Sequence, residues 1–499
     1  MRMGTHCRRL WGALPPGKHL VAAVLGLVFF LLSSHQDANA LPAFARKYGL
    51  RCSACHESWP MLNYFGQKFK DNGYQLMNDR DSPIWQNPSY WPVTFRMTPI
   101  WHRVSTDKVA IDTYSGGAIN GSTVARITSS GFDLSGLDLH TGGTLEKNFS
   151  FFLLPSSDNT GSFHFETVMA RLDNLFGSPW LNLKLGKFEL DNLLSEKRIL
   201  TLTGNGGVYQ LYHFIPVGDG NVFGQMGDNQ LGLELMGHSW DDRTRYSAAL
   251  LSSVDGNVGL PYGNAYTGFF TVSRAFDTGR LGVDRIGGYA MIGEAPTYYR
   301  TQNGGSTVLA GSGLGNKSFS REGFYGLFYF GSHVDVTVVT QHGADNAYFG
   351  QGYGDLIGGT AVNNNVPGNP GLPAGAQTPS WNGVLVEPHY VYSPQLIFIG
   401  RYETVRMSQQ ANGSGCNVSM SCFGPNGTFT NGAPASNFGN LSTYTVGFRY
   451  NPFMTSRAGF AWHNEWNWLH QDGTGALVGA PVGSNVNTTE LLTGFDFDF

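Results

Sequence analysis

The chain ends Leu492-Thr493-Gly494-Phe495-Asp496-Phe497-Asp498-Phe499, and this stretch decides the fold. Thr493, Phe495, Phe497 and Phe499 alternate with Leu492, Gly494, Asp496 and Asp498. A period of two belongs to a strand, whose successive side chains point to opposite faces. One face here is largely aromatic and the other carries the acids. The same alternation returns upstream. Val384, Val386, Pro388, Tyr390 and Tyr392 oppose Leu385, Glu387, His389 and Val391. Val334, Val336 and Val338 oppose Asp335, Thr337 and Gln341, and Leu231, Leu233 and Leu235 oppose Glu234 and His238.

Spacing turns these runs into an architecture. From Val93 onward about sixteen candidate strands follow one another, an even number as in bacterial barrels. Short turns fall at Glu146-Lys147-Asn148, Asp173 to Pro179, Asp241-Asp242, Asp277 to Arg280, Gly331-Ser332, Ser393-Pro394 and Asn451 to Thr455. Long connections lie between them, at Ser105 to Ser130, Asp191 to Asp228, Gly293 to Ser320, Gly343 to Trp381 and Ser408 to Asn440. A soluble sandwich or propeller predicts no such alternation of short and long. The expectation is an all-β protein: an outer-membrane antiparallel β-barrel over 93–499, with tight turns and both termini in the periplasm. Trp462, Trp466 and Trp468 suit an interface girdle, while Arg457, His463 and Glu465 would line the lumen.

Composition agrees. Only 14% of residues are charged, aromatics make up 13% and Gly numbers 67, which suits a sheet between lipid and water. A formal charge of −4 argues against nucleic acid as a partner. Arg2, Arg8, Arg9 and Lys18, the apolar run Leu20 to Leu32, and Ala38-Asn39-Ala40 read as a signal peptide over 1–40. No later stretch approaches the length of a membrane helix, so an inner-membrane helical protein is excluded.

Between signal and barrel, Cys52-Ser53-Ala54-Cys55-His56 is a C-x-x-C-H motif. Its thiols add to haem vinyl groups and its histidine becomes an axial ligand, so the motif predicts one covalently attached haem c. A zinc site would need further ligands nearby, and a redox disulfide would need a βαβ setting. The segment 41–92 has neither. Pro60 would open a helix carrying Leu62, Phe65 and Phe69, with Asn72-Gly73 stopping it. The distal iron ligand is open between Met77, past that turn, and His102 on the first strand; Met77 as simple loop packing is equally compatible. His164, His238, His389 and His463 read as lumen polar residues. Cys416 and Cys422 lie close together in a Gly/Asn/Ser-rich loop and would form a local disulfide. A segment this small cannot wrap a haem and build its own core, so it needs another wall. A plug in the periplasmic mouth supplies one; a freely tethered cytochrome segment is the competing picture.

These residues resemble the fused monohaem cytochrome–porins of iron-oxidising bacteria. Pro42-Ala43-Phe44-Ala45-Arg46, the haem motif, Pro60, Leu62, Phe65-Gly66, Phe69-Lys70 and Gly73-Tyr74 repeat that family's spacing. Glu57-Ser58-Trp59 departs from the small hydroxyl and aromatic residues expected after the haem histidine. Over the barrel the resemblance is one of architecture and length. It implies an outer-membrane conduit that takes electrons from an extracellular donor, Fe(II), and passes them to a periplasmic c-type cytochrome. Electron export to an extracellular acceptor and a solute porin with a haem gate or sensor are the alternatives.

Overall fold

The alternation becomes a closed cylinder. The computed structural model describes residues 42–58, 61–76, 93–111, 124–157, 162–191, 210–212, 214, 226, 229–254, 264–277, 283–303, 306–345, 380–409, 440–454, 458–473 and 484–498. The N-terminal segment holds helices Pro42–Tyr48, Cys52–Cys55 and Tyr64–Asp71 and an antiparallel ribbon, β1 (His56–Ser58) with β2 (Met61–Leu62). Sixteen strands then form the barrel. They are β3 (Val93–Ala110), β4 (Val124–Glu146), β5 (Phe149–Ser157), β6 (Phe163–Leu172), β7 (Asn182–Phe188), β8 (Gln230–His238), β9 (Thr244–Ser252) and β10 (Tyr266–Asp277). β11 (Val283–Asn303), β12 (Ser306–Phe330), β13 (Val334–Asp345), β14 (Ser380–Ser393), β15 (Leu396–Gln409), β16 (Leu441–Met454), β17 (Gly459–Gln471) and β18 (Val486–Asp498) complete it. Each strand pairs with its chain neighbours, and β18 pairs with β3, Leu492 opposite His102 and Phe497 opposite Met97.

Burial is inverted relative to a water-soluble domain. Asp335, Glu403, His463 and Asp496 are 0% exposed, whereas Phe132 is 91% and Phe324 71% exposed. Along β14, Val384, Tyr390 and Tyr392 face out and Leu385, Glu387 and His389 face in. An apolar exterior around a closed hydrogen-bonded sheet is the solution that hydrocarbon demands, because an open edge would leave peptide groups unpaired there. No described helix is long and apolar enough to cross a membrane, which says nothing of a barrel, since a barrel crosses with strands.

The C-terminal acids sit inside the seam. Asp496 accepts from Thr98 Oγ1 at 2.9 Å, Arg449 Nη1 at 3.2 Å and Arg96 Nη2 at 3.4 Å, with His463 Nδ1 at 3.5 Å. One carboxylate therefore joins β3, β16, β17 and β18 where the cylinder closes. A buried carboxylate needs such partners to offset its lost hydration.

The short turns expected from the sequence appear between β4 and β5, β6 and β7, β8 and β9, β12 and β13, and β14 and β15. Four expectations change. Within Gly293 to Ser320, expected as a loop, the described residues are strand: pairing runs to Pro296 opposite Asn316, shifts register, and resumes from Tyr298 opposite Gly311 to Asn303 opposite Ser306. Likewise β3 and β4 run to Ala110 and from Val124, and β16 runs through Asn451 to Met454. The helix expected from Pro60 begins at Tyr64, because Asn63 caps it, its Oδ1 accepting from Gly66 N at 2.9 Å, and Met61–Leu62 pairs with β1 instead. Asn72-Gly73 ends it as expected, with Gly73 left-handed at φ +72. Met77, Cys416, Cys422 and Arg457 lie outside the described residues.

Replacing Asp496 by Ala removes the buried carboxylate that Arg96 and Arg449 share and should lower the unfolding free energy by about 3–5 kcal/mol. Urea unfolding in lipid vesicles, followed by tryptophan fluorescence, checks this; an unchanged midpoint would contradict the seam assignment.

Candidate functional site

The site is built around one helical turn. Cys52–Cys55 spans a single turn, so residues three apart share a side, and the chain then enters β1 at His56. Local hydrogen bonds fix that turn. Asn63 Nδ2 donates to the carbonyls of Ala54 at 3.1 Å and Ser53 at 3.3 Å, and Asn63 N donates to Cys55 O at 2.9 Å. Gly66 brings the next helix against it: a Cβ there would lie 2.0 Å from Cys55 O, so no larger residue fits. Cys55 forms no disulfide, and burial pushes its thiol up to about 11. Two thiols and an imidazole within five residues are the groups that haem c attachment uses, and this turn with the residue after it carries them in that order.

The segment carrying the turn lies against the inner wall near the short connections. Arg171 on β6 donates Nη1 to Lys70 O and Nη2 to Asp71 O, both at 2.8 Å, while pairing with Asp173 at 2.7 Å. Asp71 meets Arg245 on β9 at 2.9 Å, and Lys70 meets Glu189 at 3.2 Å. Tyr64 Oη donates to Asp241 O at 3.2 Å. Gly73 passes so near Asp173 that a Cβ would lie 2.5 Å from its carboxylate.

Apolar contacts complete the seat. Phe44 stacks on Tyr74 at 5.0 Å and meets Phe69 edge-on at 5.2 Å, and Tyr74 stacks on Phe152 of β5 at 6.0 Å. Phe69 and Tyr74 share one buried cluster with Met169 and Phe188 of the wall and with Leu211, Tyr212 and Phe214 of the β7–β8 connection. That connection, expected as an outer loop, thus sends side chains into the lumen; Leu211 N donates to Glu403 and Leu211 O accepts from Gln341 Nε2 at 3.0 Å. Met61 packs on Ile397 and Ile399 of β15. Glu57 accepts from the Tyr329 hydroxyl. Burial raises the Glu57 carboxyl to about 7, Asp335 pushing the same way and Tyr329 and His389 opposing. Beside these contacts lies a cavity of about 90 Å³, bordered by Met61, Tyr64, Arg285, Tyr329 and His389 and not by the haem motif. It has room for a few waters.

No family model and no curated protein sequence matches the chain. Among solved structures it is similar to the outer-membrane channel DcaP of Acinetobacter baumannii, at 12% identity and TM-score 0.45, covering 81% of this chain and 97% of that one. It is similar to OmpT of Vibrio cholerae at 11% identity and TM-score 0.41, covering 84% and 100%. The anion-selective porin from Comamonas acidovorans gives 11% identity and TM-score 0.43, covering 82% and 99%. Likenesses this weak carry no argument about chemistry, which rests on the residues themselves.

Of the residues singled out from sequence, Cys52 and Cys55 bound one helical turn and His56 opens the strand that follows it. His102 faces the lumen on β3, 4.0 Å from Glu490. His389 and His463 are buried in the wall as expected, His238 nearly so, and His164 is exposed. Arg171, Asp71, Arg245 and Tyr329 were missed. For Arg171, Arg245 and Tyr329 the only sequence signal is inward parity near a short turn, which does not name a partner, and Asp71 shows only as the last residue of a helix.

Arg171→Leu should loosen the seat, since a hydrogen bond to a charged group contributes about 1.5–3 kcal/mol. Trypsin should then cut at Lys68 or Lys70 faster by about tenfold or more, as local opening becomes easier. Unaltered cleavage rates in the intact barrel would contradict the latch.

Proposed function

We propose that the chain is an outer-membrane electron conduit in which one haem c, held by Cys52 and Cys55 with His56 as axial ligand, sits on a segment that plugs the periplasmic mouth of the barrel. The observation that carries this reading is the seat. The motif-bearing segment shares its buried apolar cluster with the wall and with an inward-folded connection. A lumen crossed by Phe69, Tyr74, Leu211 and Tyr212 suits electrons better than hydrated solutes. When bound, the haem supplies one-electron chemistry; the protein contributes binding, orientation and electrostatics. Here Asn63 holds the attachment turn, the Phe44–Tyr74–Phe69 stack excludes water, and Arg171 with Arg245 keeps the segment docked. The short turns and both termini face the periplasm, and a periplasmic c-type cytochrome takes the electron. The donor is extracellular Fe(II), as the resemblance of the haem segment implies; the opposite direction, export to an extracellular acceptor, uses the same parts.

A second reading, a solute porin with a haem gate, is favoured by the buried charged side chains of the wall, Asp335, Glu387, Arg401 and Glu403. Channel and porin are also the names that the similar solved structures bear.

Anaerobic addition of Fe(II) to the oxidised, correctly exported protein should reduce the haem bands within seconds, and the intact protein in liposomes should pass little small solute. Substrate-selective flux without haem reduction at any pH would replace the conduit with the porin.

A further inference from the structure

The proposed axial ligand, His56, belongs to a short ribbon that touches the barrel at two points. On one side Met61 of β2 packs against Ile397 and Ile399 of β15. On the other, Glu57 of β1 meets the wall at Tyr329, its carboxylate accepting from the phenol hydroxyl. The ribbon itself is paired His56 to Leu62 and Ser58 to Met61, with the register shifting between them, so Glu57 is the extra residue of a bulge held on both sides by paired neighbours. A bulge bends its strand and re-aims the side chains beside it. Anchoring Glu57 to the wall therefore fixes that bend, and with it the backbone next to His56.

Tyr329 is well fixed for such a role. It lies at the end of β12 beside the turn 331–333, is 4% exposed, and donates its own N–H to Asp284 Oδ1 at 2.8 Å. Behind Glu57 stand Asp335 and His389, the latter held at 2.8 Å by Asp335 on Nδ1 and at 2.8 Å by Glu387 on Nε2. Arg401 Nε closes this set on Glu387 at 2.6 Å. The wall facing the ribbon is a hydrogen-bonded framework, and the hydroxyl of Tyr329 joins it to Glu57 of β1.

We propose that Tyr329 is a positioning residue for the haem: through Glu57 it fixes the peptide beside His56 and so sets how the axial imidazole meets the iron. This rests on the haem reading above. The barrel is then part of the redox site, since it orients the ligand as well as enclosing it. In metal sites such outer contacts commonly set ligand orientation.

The test is the ferric haem EPR signal, high-spin or low-spin as the wild type gives it, of full-length protein extracted from the outer membrane, with haem content measured first by pyridine haemochrome. Wild type should load one haem and give a single sharp signal. Tyr329→Phe, at equal loading, should broaden it or add a second species, while Tyr289→Phe, which removes a hydroxyl donated to Thr340 O at 2.9 Å elsewhere in the wall, should leave it unchanged. Glu57→Ala should reproduce the Tyr329→Phe spectrum, and Glu57→Gln, which keeps an acceptor oxygen, should restore the wild-type one. A Tyr329→Phe spectrum identical to wild type overturns the inference while leaving the haem reading intact. If Tyr329→Phe does not assemble, the two Glu57 variants decide, and identical spectra for Ala and Gln overturn it. A wild-type protein without haem removes the haem reading itself, and this inference with it.

Discussion

A peptide group facing hydrocarbon has no water to bond with, and every other feature of this molecule follows from that constraint. The sheet must close, so β18 finds β3 and the barrel has no first or last strand left open. Closure has to hold against the ease with which a strand slips in register. The buried Asp496, bonded to groups on β3, β16 and β17, supplies a fixed point at the seam. Because lipid takes the apolar faces, polar side chains gather inside, and the lumen becomes a wall of paired charges.

That wall is what the N-terminal segment lacks on its own. A few dozen residues cannot bury enough surface to offset their conformational entropy. The segment borrows Met169, Phe188 and Phe152 for its aromatic cluster and borrows Arg171 and Arg245 for its helix end. Arg171 illustrates the economy of the arrangement: one guanidinium satisfies two carbonyls at the C-terminus of the helix Tyr64–Asp71 while neutralising Asp173. Gly73 is needed at the same place twice over, for its left-handed φ of +72 and for the nearness of Asp173.

The fold was legible because lipid and water impose a period of two that composition cannot hide. Glu387 and His389 inside, Tyr390 and Tyr392 outside, could be assigned from the chain alone, and so could the acid face of β18. Strand ends were less legible. Around Pro296 and Gly311 the residues are poor strand formers, and pairing to a neighbour, which no local pattern records, keeps them in the sheet. The contiguous C-x-x-C-H motif was legible for the same reason that its surroundings were not. Cys52, Cys55 and His56 announce themselves within five residues, whereas Tyr329 approaches Glu57 only after the whole barrel has closed. The inward turn of Leu211 and Tyr212 was hidden too, since two apolar residues in a long connection look the same whether they face out or in.

The central claim is that a haem-bearing segment sits inside the barrel beside its short turns. Paramagnetic relaxation between the haem iron and a nitroxide measures this most directly, with the label placed either on Ser332 in the turn 331–333 or on Asn303 at the opposite end of the β11–β12 hairpin. The account predicts strong relaxation enhancement at Ser332 and far weaker enhancement at Asn303. Equal, weak enhancement at both positions would mean a haem tethered free of the barrel, and would contradict it.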